Sequence, residues 1–100
     1  MLPPDFRWHA IGGASHDRPN QLLLDSVEVA RLYQRVDDHT WWISLNNQRD
    51  QKLRKQQLCS GYEKGKAGAE IWAERHQARL RAEVDRYLQG LRASKPPLGR

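Results

Sequence analysis

The feature that most constrains this chain is a long helical stripe toward its C-terminus. Tyr62, Ala69, Trp72, Ala73, His76, Leu80, Val84, Tyr87 and Leu91 share one face at helical spacing, while Lys64, Ala78, Ala82 and Gln89 lie opposite. Ser60 followed by Glu63 fits a capping box, so the helix is expected to begin there. Gly90 and the Pro96-Pro97 pair are expected to end it, leaving residues 94–100 as a disordered basic tail. About eight turns at ~1.5 Å per residue make a rod of roughly 45 Å, against ~17–20 Å for a typical strand. Such a helix overhangs any sheet it packs on. Its C-terminal half then needs another cover: the N-terminal segment, the loop of residues 12–20, or a second copy of the chain.

The rest of the chain reads as strands and turns. Residues 6–11 suit an edge strand, and residues 12–20, with two glycines, a serine, a proline and an asparagine, suit a flexible loop. Leu22-Leu23-Leu24 and Val27-Glu28-Val29 flank Asp25-Ser26 as a tight hairpin. A second hairpin surrounds Asp37-Asp38-His39-Thr40, between segments rich in β-branched and aromatic residues. A four-residue turn there sets Val36 opposite Trp41, Gln34 opposite Ile43 and Leu32 opposite Leu45, with Arg35, Tyr33 and Arg31 facing Trp42, Ser44 and Asn46 on the other side. Residues 46–57 are polar and basic with little periodicity. They are read as a loop leading to a further strand over residues 54–59, with a short helix as the alternative.

These elements predict an α+β fold, an antiparallel β-meander of three to four strands packed on one long C-terminal amphipathic helix. One hundred residues, 38% hydrophobic and 29% charged, suffice for one modest core. We place the domain at residues 21–93, with residues 1–20 as an extension. No stretch is apolar enough to span a bilayer and no secretory leader is evident, so a cytoplasmic protein with no membrane partner is expected. The single Cys59 agrees with a reducing compartment.

Catalytic chemistry finds little support. His9, His16, His39 and His76 are scattered without metal-site spacing, and no histidine is tied to Cys59 by the sequence. Asp37 and Asp38 are turn residues, and Gly12-Gly13 lacks the spacing and lysine of a phosphate loop. The chain is therefore expected to be no enzyme and to need neither cofactor nor metal.

Binding is the better reading. A net charge of +5 and a pI of 9.8 attract polyanions. Consecutive Trp41 and Trp42 cannot both face the core, so Trp42 projects outward beside Arg31, Tyr33 and Arg35, where an indole and guanidinium groups suit base stacking and phosphate contact. Arg49, Lys52, Arg54 and Lys55 would form a phosphate-binding arm. The same aromatic and arginine residues also resemble an interface hot spot for a host protein. A homo-oligomer is a third expectation, its seam lined by Ala73, Leu80, Val84, Tyr87 and Leu91. The helix edge of Arg75, Arg79 and Arg86 reads as a solvated surface with Arg79–Glu83 and Arg81–Asp85 pairs.

The segment Ser60-Gly61-Tyr62-Glu63-Lys64-Gly65-Lys66-Ala67-Gly68-Ala69-Glu70-Ile71-Trp72, following a tryptophan-bearing hairpin, resembles small phage and prophage proteins. In order of elements, residues 22–72 also resemble the arm-type DNA-binding domains of tyrosine recombinases, in which a three-stranded sheet backed by a helix enters the major groove. That resemblance implies that Arg31, Tyr33, Arg35 and Trp42 occupy the reading face. The chain departs from it in its longer helix, its N-terminal extension and the lack of a catalytic recombinase region.

Overall fold

The computed structural model describes residues 2–10 and 18–94, with side chains to residue 91. The expected flexible loop, over residues 12–17, and the expected tail, over residues 95–100, lie outside the described residues. The chain forms strands β1 (Phe6–His9), β2 (Gln21–Leu24), β3 (Val27–Gln34), β4 (Trp41–Leu45) and β5 (Lys55–Cys59), with a 3-10 turn at Gln51–Leu53. Helices α1 (Tyr62–Arg75) and α2 (Gln77–Ser94) follow. The fold is α+β, with one five-stranded antiparallel sheet in the order β1-β2-β3-β4-β5.

Two counts differ from the expectation. There are five strands, because β1 pairs with β2 through Phe6 opposite Leu24 and Trp8 opposite Leu22, and β5 pairs along the whole of β4. The segment read as an N-terminal extension thus supplies a strand whose Phe6 belongs to the core. There are two helices, because the rod breaks at His76 (φ −112°, ψ 17°). The Gln77 side-chain amide donates to the Glu74 carbonyl at 3.2 Å beside the break, one of the ways in which an inserted side chain kinks a helix. The stripe looked continuous because both helices bury the same face. α1 begins at Gly61 with no side-chain cap, so the Ser60–Glu63 capping box does not form, and α2 runs through Gly90 to Ser94.

The β2–β3 turn is the expected two-residue hairpin at Asp25 (φ 50°) and Ser26 (φ 69°). Two successive positive φ values are those of a type I′ turn, which matches strand twist but costs a side chain at each position. Ser26→Gly is therefore expected to stabilise the fold by about 0.5–1 kcal/mol, a rise in Tm of roughly 3–6 °C in thermal melts. A bulge sits opposite, since Leu22 pairs with Ala30 but Leu23 with Glu28. The extra residue lets Val29 and Ala30 both enter the core, each fully buried.

The core lies between one sheet face and the two helices. Leu22, Leu24, Leu32, Ile43 and Leu45 from the strands meet Tyr62, Ala69, Ala73, Leu80 and Val84 from the helices. α1, about 21 Å long at ~1.5 Å per residue, is the length of a strand and fits the sheet. The break then frees α2 for a different cover. On one side Arg81 donates to the Asp5 carboxylate (2.9 Å) and the Pro4 carbonyl (2.7 Å), with its guanidinium 5.5 Å from the Phe6 ring centre. On the other, Glu83 accepts from Gln48, Arg49 and Arg79, and Arg79 also reaches Asn46. The overhang is thus met by the N-terminal segment and the loop of residues 46–49. Arg81 bonds Asp5 rather than Asp85, whose carboxylate accepts from Gln89 instead.

Candidate functional site

Both helices pack on one face of the sheet, and among the described residues no helix packs on the other. Strand alternation writes that open face in rows. His9, Gln21, Arg31, Ser44 and Gln56 run across all five strands, and Tyr33, Trp42 and Leu58 lie beside them on β3, β4 and β5. Arg7, Leu23 and Glu28 form the row on the opposite flank. The face is thus an aromatic and apolar row next to a polar one, with Arg7, Arg31 and Arg35 as its cations.

The register of β3 on β4 is offset by two residues from the sequence expectation. Tyr33 faces Trp42 and Leu32 faces Ile43, where Ser44 and Leu45 were expected. The turn keeps four residues but lies one position earlier, at residues 36–39: the Arg35 amide donates to the Thr40 carbonyl at 2.9 Å, and the amide of His39, at φ 59°, donates back to the Arg35 carbonyl. Val36 is left in the turn, 90% exposed, rather than paired with Trp41. A slip of two leaves every side chain on its expected face, so Arg31, Tyr33, Arg35 and Trp42 still share one surface.

Tyr33, Arg35, Trp42 and Gln56 line a shallow recess of about 260 Å³. Its walls are fixed from beneath. The Trp42 indole N–H donates to Thr40 Oγ1 at 2.9 Å, and the Thr40 hydroxyl donates to Asp38 Oδ1 at 2.7 Å. Those bonds from Thr40 hold the Asp38 carboxyl below its ordinary range. The Tyr33 hydroxyl donates to Gln56 Oε1 at 2.8 Å. Arg35 makes one exposed ion pair, 3.1 Å to Asp37, of a kind worth about 0–1 kcal/mol and readily exchanged. Arg31 is more committed, since Glu28 accepts from it, from Gln21 and from Asn47.

The basic segment is dispersed by the fold. Arg49 bonds Glu83 through Nε and a terminal nitrogen, and Arg54 Nε donates to the Arg49 carbonyl. Lys52 is exposed on the 3-10 turn, and Lys55 opens β5 on the helix side of the sheet, opposite Leu45. The seam residues also separate: Ala73, Leu80 and Val84 are buried in the chain's own core, whereas Tyr87 and Leu91 are 45% and 50% exposed. Arg75 and Arg86 are exposed, and Arg79 belongs to the Glu83 cluster.

Arg7, Gln56 and Leu58 were not singled out from the sequence. Leu58 and Gln56 lie in a segment without strand periodicity, and only pairing with β4 assigns their face. Burial pushes the Cys59 thiol up, opposite to what an activated nucleophile requires. No group of three or more potential metal ligands occurs among the described residues, and among them no helix is long and apolar enough to cross a membrane. No protein-family model matches the chain, and no curated protein or solved structure shows a significant match to it.

Proposed function

We propose that the chain is a non-enzymatic nucleic-acid-binding accessory protein that takes a single strand across the open face of its sheet. The observation that carries this reading is the recess of Tyr33, Arg35, Trp42 and Gln56 on the sheet face that, among the described residues, no helix covers. Its ~260 Å³ falls below the ~300–1,000 Å³ of small-molecule pockets, and it suits one planar ring on an indole. Stacking on an aromatic side chain contributes about 1–3 kcal/mol per base and tolerates any sequence. Arg35 then exchanges Asp37 for a phosphate, Arg7 meets the strand on the far row, and Gln21 and Gln56 offer amides to base edges. A paired duplex hides its base faces, so an unpaired strand is the preferred ligand.

The test is fluorescence anisotropy with a labelled oligothymidylate of about 12 nucleotides, its RNA counterpart and a duplex of the same length. Trp42→Ala is expected to weaken single-strand binding by about tenfold or more, the loss of one stacked base. Arg7→Glu combined with Arg35→Glu is expected to abolish it. Arg31 is left in place because its loss would strand Glu28 among amides. With about three cations engaged, the slope of log K against log salt should lie near −2 for a single strand. Absence of binding at about 20 mM salt, or an unchanged affinity in a folded Trp42→Ala variant, would refute the reading.

A further inference from the structure

α1 crosses the sheet without covering its β5 margin. A groove of about 260 Å³ remains there, floored by Ile43 and Leu45 and walled by Gly65, Gly68, Ala69 and Trp72. It lies on the opposite side of the sheet from the proposed nucleic-acid face, and the two surfaces meet at Gln56 and Leu58 of the β5 edge.

β5 is one of the two edges of the sheet, and among the described residues it pairs only with β4. Which of its main-chain groups are free follows from alternation. The Leu32 amide donates to the Asn20 carbonyl and the Arg35 amide to the Thr40 carbonyl, so on β3 the even residues address β2 and the odd ones β4. Carried across β4, Trp42 and Ser44 bond to β3, and Trp41, Ile43 and Leu45 bond to β5 through Cys59, Gln57 and Lys55. Gln56 and Leu58 therefore turn their N–H and C=O groups outward, as a template for one more strand.

Three observations specify the occupant. Free main-chain groups on an edge call for an extended backbone, and the adjoining apolar groove calls for an apolar side chain at the position opposite Gln57. Lys55, at the start of β5, and Lys64, on the groove wall, have no ion-pair partner among the described residues and call for negative charge. A second copy of this chain would bring its own Arg54 and Lys55 against the same basic edge, which disfavours it. Gly68 adds weight. A Cβ there would meet nothing within 4 Å, so packing does not require glycine, although glycine costs an exposed helix about 1 kcal/mol relative to alanine. Its effect is to keep the groove wall low.

We propose that the β5 edge and the α1 groove receive, as a sixth strand, an extended segment of a partner protein in which an apolar residue is flanked two positions away on each side by an acidic one, so that all three side chains face the helix side. The probe is the capped peptide Thr-Glu-Thr-Val-Thr-Glu-Thr, titrated into the isotope-labelled full chain and followed by amide chemical shifts. Saturable shifts at Gln56, Leu58 and Gly68 are expected, with binding at least tenfold weaker for the peptide that carries lysine in place of both glutamates. Leu58→Pro deletes an outward N–H without touching the bonds to β4, and it is expected to lose binding about tenfold or more. Gly68→Gln fills the groove at a position where glutamine favours the helix, so loss of binding there cannot be ascribed to unfolding. The proposal is overturned by the absence of shifts at millimolar peptide, by shifts confined to the row of Tyr33 and Trp42, or by equal affinity for the lysine peptide. Sedimentation that shows the β5 edge already paired with a second copy would overturn it as well.

Discussion

Gly65→Val is expected to lower the unfolding free energy by about 3 kcal/mol or more, measured by urea titration of the circular dichroism signal. Gly65 is where α1 comes nearest the sheet. A Cβ at that position would sit 2.5 Å from Leu32 Cδ2, 3.0 Å from Cys59 Sγ and 3.3 Å from Cys59 Cβ. Leu32 is fully buried and cannot swing its methyl into solvent. Overpacking a tight contact costs about 1–3 kcal/mol even for small additions, and valine adds two methyls beyond the first. Gly68, one turn along the same helix, is the internal control. Gly68→Ala meets open space and should stabilise the fold by about 0.5–1 kcal/mol through helix propensity alone. If Gly65→Val leaves stability unchanged, α1 does not approach Leu32 and Cys59 as closely as described.

The second large effect concerns acid. Bonds from Arg49, then from Gln48 and Arg79, hold the Glu83 carboxyl down at about 2 against an ordinary 4.5, with partial burial opposing them. Its folded-state pKa is depressed, so its stabilisation is complete above about pH 4.5 and is lost as pH falls toward about 2. After allowance for solvent at this partly exposed cluster, that amounts to about 2–3 kcal/mol. Glu83→Gln should therefore be less stable than the natural chain by about that amount at neutral pH, and the two should converge near pH 2. Parallel melting curves with a constant gap down to the lowest pH would show that Glu83 does not carry the acid dependence. The cluster matters to the fold because it ties α2 to the loop that precedes β5, and so fixes the edge on which the groove depends.

These two residues show where sequence reading reaches its limit. The Arg79–Glu83 pair is visible as helix spacing, but the contacts of Gln48 and Arg49 with Glu83 join residues 35 and 34 positions apart. Nothing in the local pattern of residues 46–57 announces that Arg49 is committed to a carboxylate rather than free for phosphate. Gly65 likewise reads as a weak point in a helix. Only the position of Leu32 beneath it explains why a side chain is not tolerated.

The hairpin face fared differently because its information has period two. An offset of two residues in pairing changed the partners of Tyr33 and Arg31 and expelled Val36 into the turn, yet it moved no side chain to the other face. Arg31, Tyr33, Arg35 and Trp42 could thus be grouped from alternation alone. The position of the turn that sets the register could not, because composition points to residues 37–40, whereas Thr40, held by its amide and hydroxyl to Asp38 at 3.1 and 2.7 Å, closes the loop with Arg35 one residue earlier.

The sequence by itself determined the amphipathic stripe, the Asp25-Ser26 turn, the tryptophan hairpin and the outward set of Arg31, Tyr33, Arg35 and Trp42. All are written in spacings of two or of 3.6 residues, which act over a few neighbours. Tertiary structure alone decided how β1 and β5, whose segments already read as strands, pair to complete the sheet, that the helix breaks at His76, and that Arg49 and the apolar residues Leu80 and Val84 serve the chain's own interior. It also decided that α1 stops short of the β5 margin. Each of those outcomes depends on which distant groups compete for the same surface, a competition settled by packing and hydrogen bonding across the fold rather than by local pattern.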